Sequence, residues 1–177
     1  MFSQKDKIKP TRRKTPEQAL ASLMRQCARA ERSSGDALRL MRGWEIEPKD
    51  QQQILQRLIR ERFIDDRRYA EAFVREKTSL SAWGEYKIRA ALKRKGISEA
   101  IIGEVLLSSD RVQDTTRLEE RLRSKIRTIK YKTTYELRTK LIRYGLSLGF
   151  SMESVMGAVE SVTQNLAQEP ECDDIFF

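Results

Sequence analysis

Residues 63–97 read FIDDRRYAEAFVREKTSLSAWGEYKIRAALKRKGI, and their reading decides the fold. Asp65 stands where a helix N-cap belongs, Asp66 follows in the first turn against the helix dipole, and Ile64 is spaced to staple onto Tyr69. Tyr69, Ala72 and Phe73 then form an apolar stripe at helical spacing. After a polar break, Gly84 opens a second helix that carries Ile88, Ala91 and Leu92 on one face and stops at Gly96. With Gly96 at C′, Leu92 and Ile97 are the C3 and C″ contact pair of a Schellman ending.

The same grammar extends in both directions. Upstream, Thr15-Pro16-Glu17-Gln18 is a capping box with proline at N1, predicting a helix with inner face Leu20, Leu23, Met24 and Cys27. Ser33 caps a short second helix carrying Ala37 and Met41, and Pro48 opens a third with Ile54, Leu55, Leu58 and Ile59. Downstream, Ser98 caps a helix bearing Ile101, Ile102, Val105 and Leu106. A last set places Leu118, Leu122, Ile126 and Ile129 on one helix, Leu137 and Leu141 on the next, and Val155, Met156, Val159 and Val162 on a third.

Three helices therefore recur three times. Aligning the middle helices puts Ala37, Ile88 and Leu137 in register, then Met41, Leu92 and Leu141, then Ile46, Ile97 and Leu146. Gly96 matches Gly145 in this register, but Glu45 stands at that position in the first repeat. The Schellman ending is therefore expected to be lost there, leaving that helix the least regular. The expected fold is all-α, with three tandem three-helix repeats stacked into an elongated, curved helical body because one such unit is marginal alone. The expected boundaries are a basic arm at 1–14, repeats at 15–65, 66–112 and 113–167, and an acidic tail at 168–177.

Composition narrows the function. The chain has 177 residues, 39% hydrophobic and 34% charged, which is enough for a buried core under a heavily solvated surface. The net charge of +9 favours a polyanionic partner: nucleic acid, an acidic protein face or an anionic membrane. There is no histidine, and the two cysteines, Cys27 and Cys172, lack metal-ligand spacing. Neither a phosphate-binding glycine loop nor an activated nucleophile is visible, so no enzymatic activity, cofactor or metal is expected. The Asp65-Asp66 pair reads as cap chemistry. No apolar run could span a bilayer and the amino terminus lacks the apolar stretch of a signal peptide, so a cytoplasmic protein with no membrane role is expected.

The string Phe63-Ile64-Asp65-Asp66-x-Arg68-Tyr69-Ala70-x-x-Phe73-Val74, followed by Trp83-Gly84-x-x-Lys87-Ile88-Arg89-x-x-Leu92-x-x-Lys95-Gly96-Ile97, resembles the RecX family of bacterial recombination regulators. The resemblance implies an all-helical protein of tandem three-helix repeats that binds the RecA–DNA filament and restrains it. It thereby implies a place in recombination, DNA repair and the SOS response.

Charge placement suggests where contact occurs. Residues 113–150 hold ten Lys or Arg against four Asp or Glu, the strongest excess in the helical part of the chain. The face opposite Ile88 and Leu92 presents Tyr86, Lys87, Arg89, Lys93 and Arg94, and the third repeat offers Tyr135, Arg138 and Arg143 with Lys140 beside them. Tyrosine with arginine three residues on can stack near and grip phosphates. In the dense segment KIRTIKYK at 125–132, Ile126 and Ile129 read as core and Lys130 and Lys132 as outward. Arg67, Arg68 and Lys95 complete the candidate DNA- or filament-binding set. Trp44 and Trp83 read as packing residues. The helices offer backbone-gripping cations more than base-reading groups, so single- and double-stranded DNA would be bound without sequence specificity, by a monomer serving a RecA filament target. A stand-alone helical DNA-binding protein is the alternative.

Overall fold

A computed structural model describes residues 13–108 and 111–164, with the backbone alone at 111–114. The described residues are all-α, and no helix among them is long and apolar enough to cross a membrane. The expected amino-terminal arm up to residue 12 and the acidic tail lie outside the described residues.

Helix α1 (Pro16–Cys27) begins at the capping box: Thr15 Oγ1 accepts from the Gln18 N–H at 3.3 Å, and Gln18 Oε1 accepts from the Thr15 N–H at 3.2 Å. Helix α2 (Ser34–Gly43) is capped by Ser33, and α3 (Pro48–Arg60) opens on its proline. Leu23, Met41, Leu58 and Ile64 close the core of this set with Ala19 and Ala37. Ile59, expected inside, is 48% exposed, because the buried row of α3 is Gln51, Ile54 and Leu58 and Ile59 falls one position beyond it. Cys27 is only half-buried, and burial pushes its thiol pKa up.

The expected loss of the Schellman ending in this set does not occur. Glu45 adopts φ 57° and both bonds of the motif form, from Glu45 N–H to Arg42 O at 3.0 Å and from Ile46 N–H to Met41 O at 3.1 Å. Burial of Ile46 supplies what glycine would have made easy. Arg62 (φ 59°) ends α3 in the same way. Arg13 pairs with the Glu45 carboxylate, and the Lys14 ammonium lies 3.6 Å from the Trp44 ring centre, so both residues are held against this turn. Glu45→Gly should stabilise the protein by about 0.5–1 kcal/mol, because a left-handed side-chain residue costs about 1–2 kcal/mol and the exposed ion pair returns less. Urea unfolding beside Glu45→Ala, which keeps the strain, checks this; a Gly variant no more stable than the Ala variant would refute it.

Helices α4 (Asp66–Ser81), α5 (Glu85–Arg94) and α6 (Glu99–Leu107) follow. Asp65 caps α4 by accepting from the Arg68 N–H at 3.0 Å. Asp66 reaches outward, accepting from the Ser34 N–H of α2 at 2.8 Å. The deepest residues of α4 are Ala70 and Val74, while Tyr69, Ala72 and Phe73 of the expected stripe are half-buried. Gly96 (φ 80°) completes the Schellman turn after α5, with Ile97 N–H on Leu92 O at 3.2 Å.

Helices α7 (Arg111–Ile126), α8 (Thr134–Leu148) and α9 (Met152–Thr163) bury Leu118, Leu122, Leu137, Leu141, Val155 and Val159 together. Ile129 lies beyond the end of α7, half-buried against this core, and Met156 is 46% exposed rather than inside. The register of α8 also differs from the expected one. Gly149 (φ 91°), not Gly145, ends it, donating to Leu146 O at 2.9 Å. Gly145 is instead a buried interior residue packed on Val155, and Leu146 is 38% exposed.

By compactness the chain forms two units. One comprises residues 13–72 with Leu92–Gly103; the other comprises Phe73–Ala91 with the described residues from Glu104 on. Within each, the blunt end of one middle helix meets the start of another. In the second unit, the Gly84 N–H donates to Leu148 O at 2.8 Å, the Tyr86 N–H to Gly149 O at 3.0 Å and the Lys87 ammonium to Ser147 O at 3.1 Å. Orphan amides at the start of α5 thus satisfy orphan carbonyls at the end of α8, with the dipoles aligned. In the first unit, Ser33 Oγ donates to Lys95 O at 2.8 Å and Arg39 to Arg94 O at 3.0 Å. The Lys95 ammonium pairs with Asp36 at 2.9 Å. Backbones approach so closely at these junctions because glycine occupies both sides, Gly35 against Gly96 and Gly84 against Gly149.

Candidate nucleic-acid interface

The junctions consume much of the charge that the sequence places on α5. Lys87 caps α8 and lies 4.8 Å from the Trp83 ring centre, and Trp83 in turn packs edge-on to Phe73. Lys95 is held by Asp36, which is 7% exposed and also takes Arg39 at 2.7 Å. Arg89 bonds Glu85 at 2.9 Å and Lys93 bonds Glu99 at 2.8 Å. Of the α5 set, Tyr86 is 63% exposed, and Arg94 is exposed with its guanidinium clear of any partner among the described residues.

The arginines at the start of α4 are also engaged. Arg67 bonds Glu71 at 3.2 Å. Arg68 makes a two-pronged pair with Glu31, at 2.7 and 3.1 Å, and not with its own cap. The Glu31 hydrogen bond holds the Arg68 guanidinium pKa above its usual value. These cations serve the fold first.

A different picture holds on the α7–α8 loop and the outer face of α8. Thr133 caps α8 by accepting from the Glu136 N–H at 3.2 Å. Glu136 accepts from the Lys132 N–H at 2.9 Å and pairs with Lys140 at 2.7 Å, and these bonds, Lys140 first, keep its carboxyl pKa below the ordinary range. Lys140 also donates to Lys130 O at 2.7 Å, which draws the loop back against the helix. Lys140 is thus a strut. The side chains of Lys130, Lys132, Arg138 and Arg143 are exposed and make no hydrogen bond or ion pair among the described residues.

Arg127, which the sequence reading did not single out, belongs to the same group. Its signal was available: Ile126 and Ile129 packing inward leave Arg127 and Lys130 to point out. Tyr135, 81% exposed, and Tyr131, 42% exposed, stand among these cations. Free cations interleaved with exposed aromatic rings on one loop and one helix face can neutralise phosphates and stack on bases. Leu118, Leu122, Leu137 and Leu141 hold that face rigid from beneath.

A family model for the RecX second three-helix domain matches residues 65–106. The regulatory protein RecX of Clostridium beijerinckii (strain ATCC 51743 / NCIMB 8052) is 34% identical over 102 residues, 56% of this chain and 47% of that protein. The regulatory protein RecX of Lactococcus lactis subsp. cremoris (strain SK11) is 30% identical over 135 residues, 75% of this chain and 50% of that protein. Over residues 65–106 this chain matches a RecX domain, and it is similar to these RecX proteins. It spans about half the length of the curated RecX relatives it matches. The fold agrees with RecX crystal structures. That of RecX from Lactobacillus salivarius superposes with a TM-score of 0.75 at 18% identity, covering 84% of this chain and 97% of the other. A second, described as regulatory protein RecX, gives 0.76 at 20% identity, covering 82% and 73%. The basic loop and α8 face lie outside the segment matched by the RecX domain model, which ends at residue 106.

Proposed function

We propose that this chain is a regulatory protein that binds the RecA–DNA filament and inhibits its ATP hydrolysis, strand exchange and coprotease functions, with the α7–α8 loop and outer α8 face contacting the DNA backbone. Similarity to RecX supports the filament target, since the relatives this chain matches carry the name regulatory protein RecX. The cluster of Arg127, Lys130, Lys132, Arg138 and Arg143 around Tyr131 and Tyr135, whose cations have no partner among the described residues, carries the DNA contact. The mechanism is occupancy. A helical body lying against the filament blocks access to a second DNA or to a cleavable repressor and needs no chemistry of its own.

The primary experiment is DNA-dependent ATP hydrolysis by purified RecA, titrated with this protein on preformed filaments. Loss of hydrolysis at protein levels too low to coat the DNA supports the reading; inhibition only at DNA saturation, or none at all, defeats the filament target. Arg138→Glu/Arg143→Glu should weaken single-stranded DNA binding about tenfold or more at low salt and flatten the salt dependence by roughly 1.5 in log–log slope. Unchanged affinity with intact helicity would remove this face from the interface. Reversing Arg89 and Lys93 is a poorer probe, because it sets like charges against Glu85 and Glu99 and disturbs the fold itself.

A further inference from the structure

We propose that the segment Glu169–Phe177 of this same chain docks on the α7–α8 loop and outer α8 face and competes there with DNA. The proposal rests on the reading of that face as a polyanion site. It starts from charge. The face holds cations with no partner among the described residues, whereas those of α5 and of the start of α4 are mostly consumed by carboxylates and helix-end carbonyls. The segment carries Glu169, Glu171, Asp173 and Asp174, and residues 165–177 contain no Lys or Arg with which those acids could pair locally.

Apolar complementarity points the same way. Ile175, Phe176 and Phe177 follow directly on the acids. The α8 face offers the exposed Tyr135 and Leu146, eleven residues apart and so on one side of the helix, with Ile142 half-buried between them against the core and Arg138 and Arg143 flanking. Carboxylates on the arginines and rings on Tyr135 and Leu146 would cover the exposed part of this face.

Reach permits it. Val155 of α9 packs on Gly145, and the eight further residues of α9 to Thr163 add about 12 Å, so its far end lies within about 25 Å of Leu146. The nine residue steps from Gln164 to Asp173 can span up to about 30 Å. Docking within one molecule therefore needs no rearrangement of the helices. The bound segment presents carboxylates where phosphates would lie, so the two ligands exclude each other.

Cys172 sits inside the segment and supplies the probe. In the full chain carrying Cys27→Ser, a nitroxide on Cys172 should broaden backbone amide signals of residues 135–147 at low salt. The broadening should fade in 1 M salt, where the screening length falls to about 3 Å. No broadening on α8, broadening confined to another surface, or broadening seen only between labelled and isotope-enriched copies in a mixed sample would overturn docking within one molecule. Replacing the four acids together (E169Q/E171Q/D173N/D174N) should tighten single-stranded DNA binding three- to tenfold at about 50 mM salt. If that affinity is unchanged while Arg138→Glu/Arg143→Glu weakens binding, the competition is refuted and the DNA site stands. If the nitroxide broadens α8 while Arg138→Glu/Arg143→Glu leaves DNA affinity unchanged, the DNA site fails and the competition with it.

Discussion

Gly149→Ala should cost about 3 kcal/mol or more, lowering the urea midpoint of the protein more than any other single methyl group added to its backbone. Two penalties coincide at this position. Its φ of 91° lies where an L side chain is strained, and an added Cβ would stand 2.3 Å from Lys87 Cβ and 2.6 Å from the Lys87 nitrogen. Relief would require α5 to withdraw from the end of α8, which breaks the bonds from Gly84 and Tyr86 to the last carbonyls of α8. Gly157→Ala is the control. Gly157 lies inside α9 with nothing within 4 Å of an added Cβ, so the same change there should raise stability by up to about 1 kcal/mol through helix propensity. If both variants unfold at the same urea concentration, the backbone approach between α5 and α8 is wrong.

The second large effect is expected at Leu141. Fully buried among Leu118, Leu122, Leu137 and Val155, it should lose about 2–5 kcal/mol on truncation to alanine, through lost apolar contact and the cavity left behind. Met156→Ala and Ile59→Ala should each stay within about 0.5 kcal/mol of the parent, because both side chains are about half exposed. The comparison is informative because apolar spacing alone assigned all three residues to the core. Equal losses at the three sites, read by urea unfolding, would restore that simpler assignment.

Most of the fold was legible because its rules are local. A cap acts on an amide three residues away, as Thr15, Ser33, Asp65 and Ser98 do, and an apolar stripe is spelled out over two turns. Where the local reading erred, a periodic signal was ambiguous. Sliding the third middle helix by four residues keeps its inward face nearly unchanged, so Gly145 looked as good a helix end as Gly149, and only packing on Val155 separates them. At Glu45, residue type argued against a Schellman turn, but burial of Ile46 and the bonds to Arg42 and Met41 outweigh the local preference.

The candidate interface was legible as a composition and not as a set of residues. Sequence alone determined the all-α class, the capped helix starts, the glycine stop of α5 and the excess of cations in residues 113–150, because each depends on neighbours in the chain. Which cations remain available for a partner was decided only by tertiary structure. Lys95 meets Asp36, Arg68 meets Glu31, and Lys87 meets the carbonyl of Ser147, each across more than thirty residues. A carboxylate or an open carbonyl end so distant in the chain has no local signature. The folded core brings these groups together, so a charge that reads as surface in the sequence becomes a clamp in the structure, and Arg138 and Arg143 are left exposed.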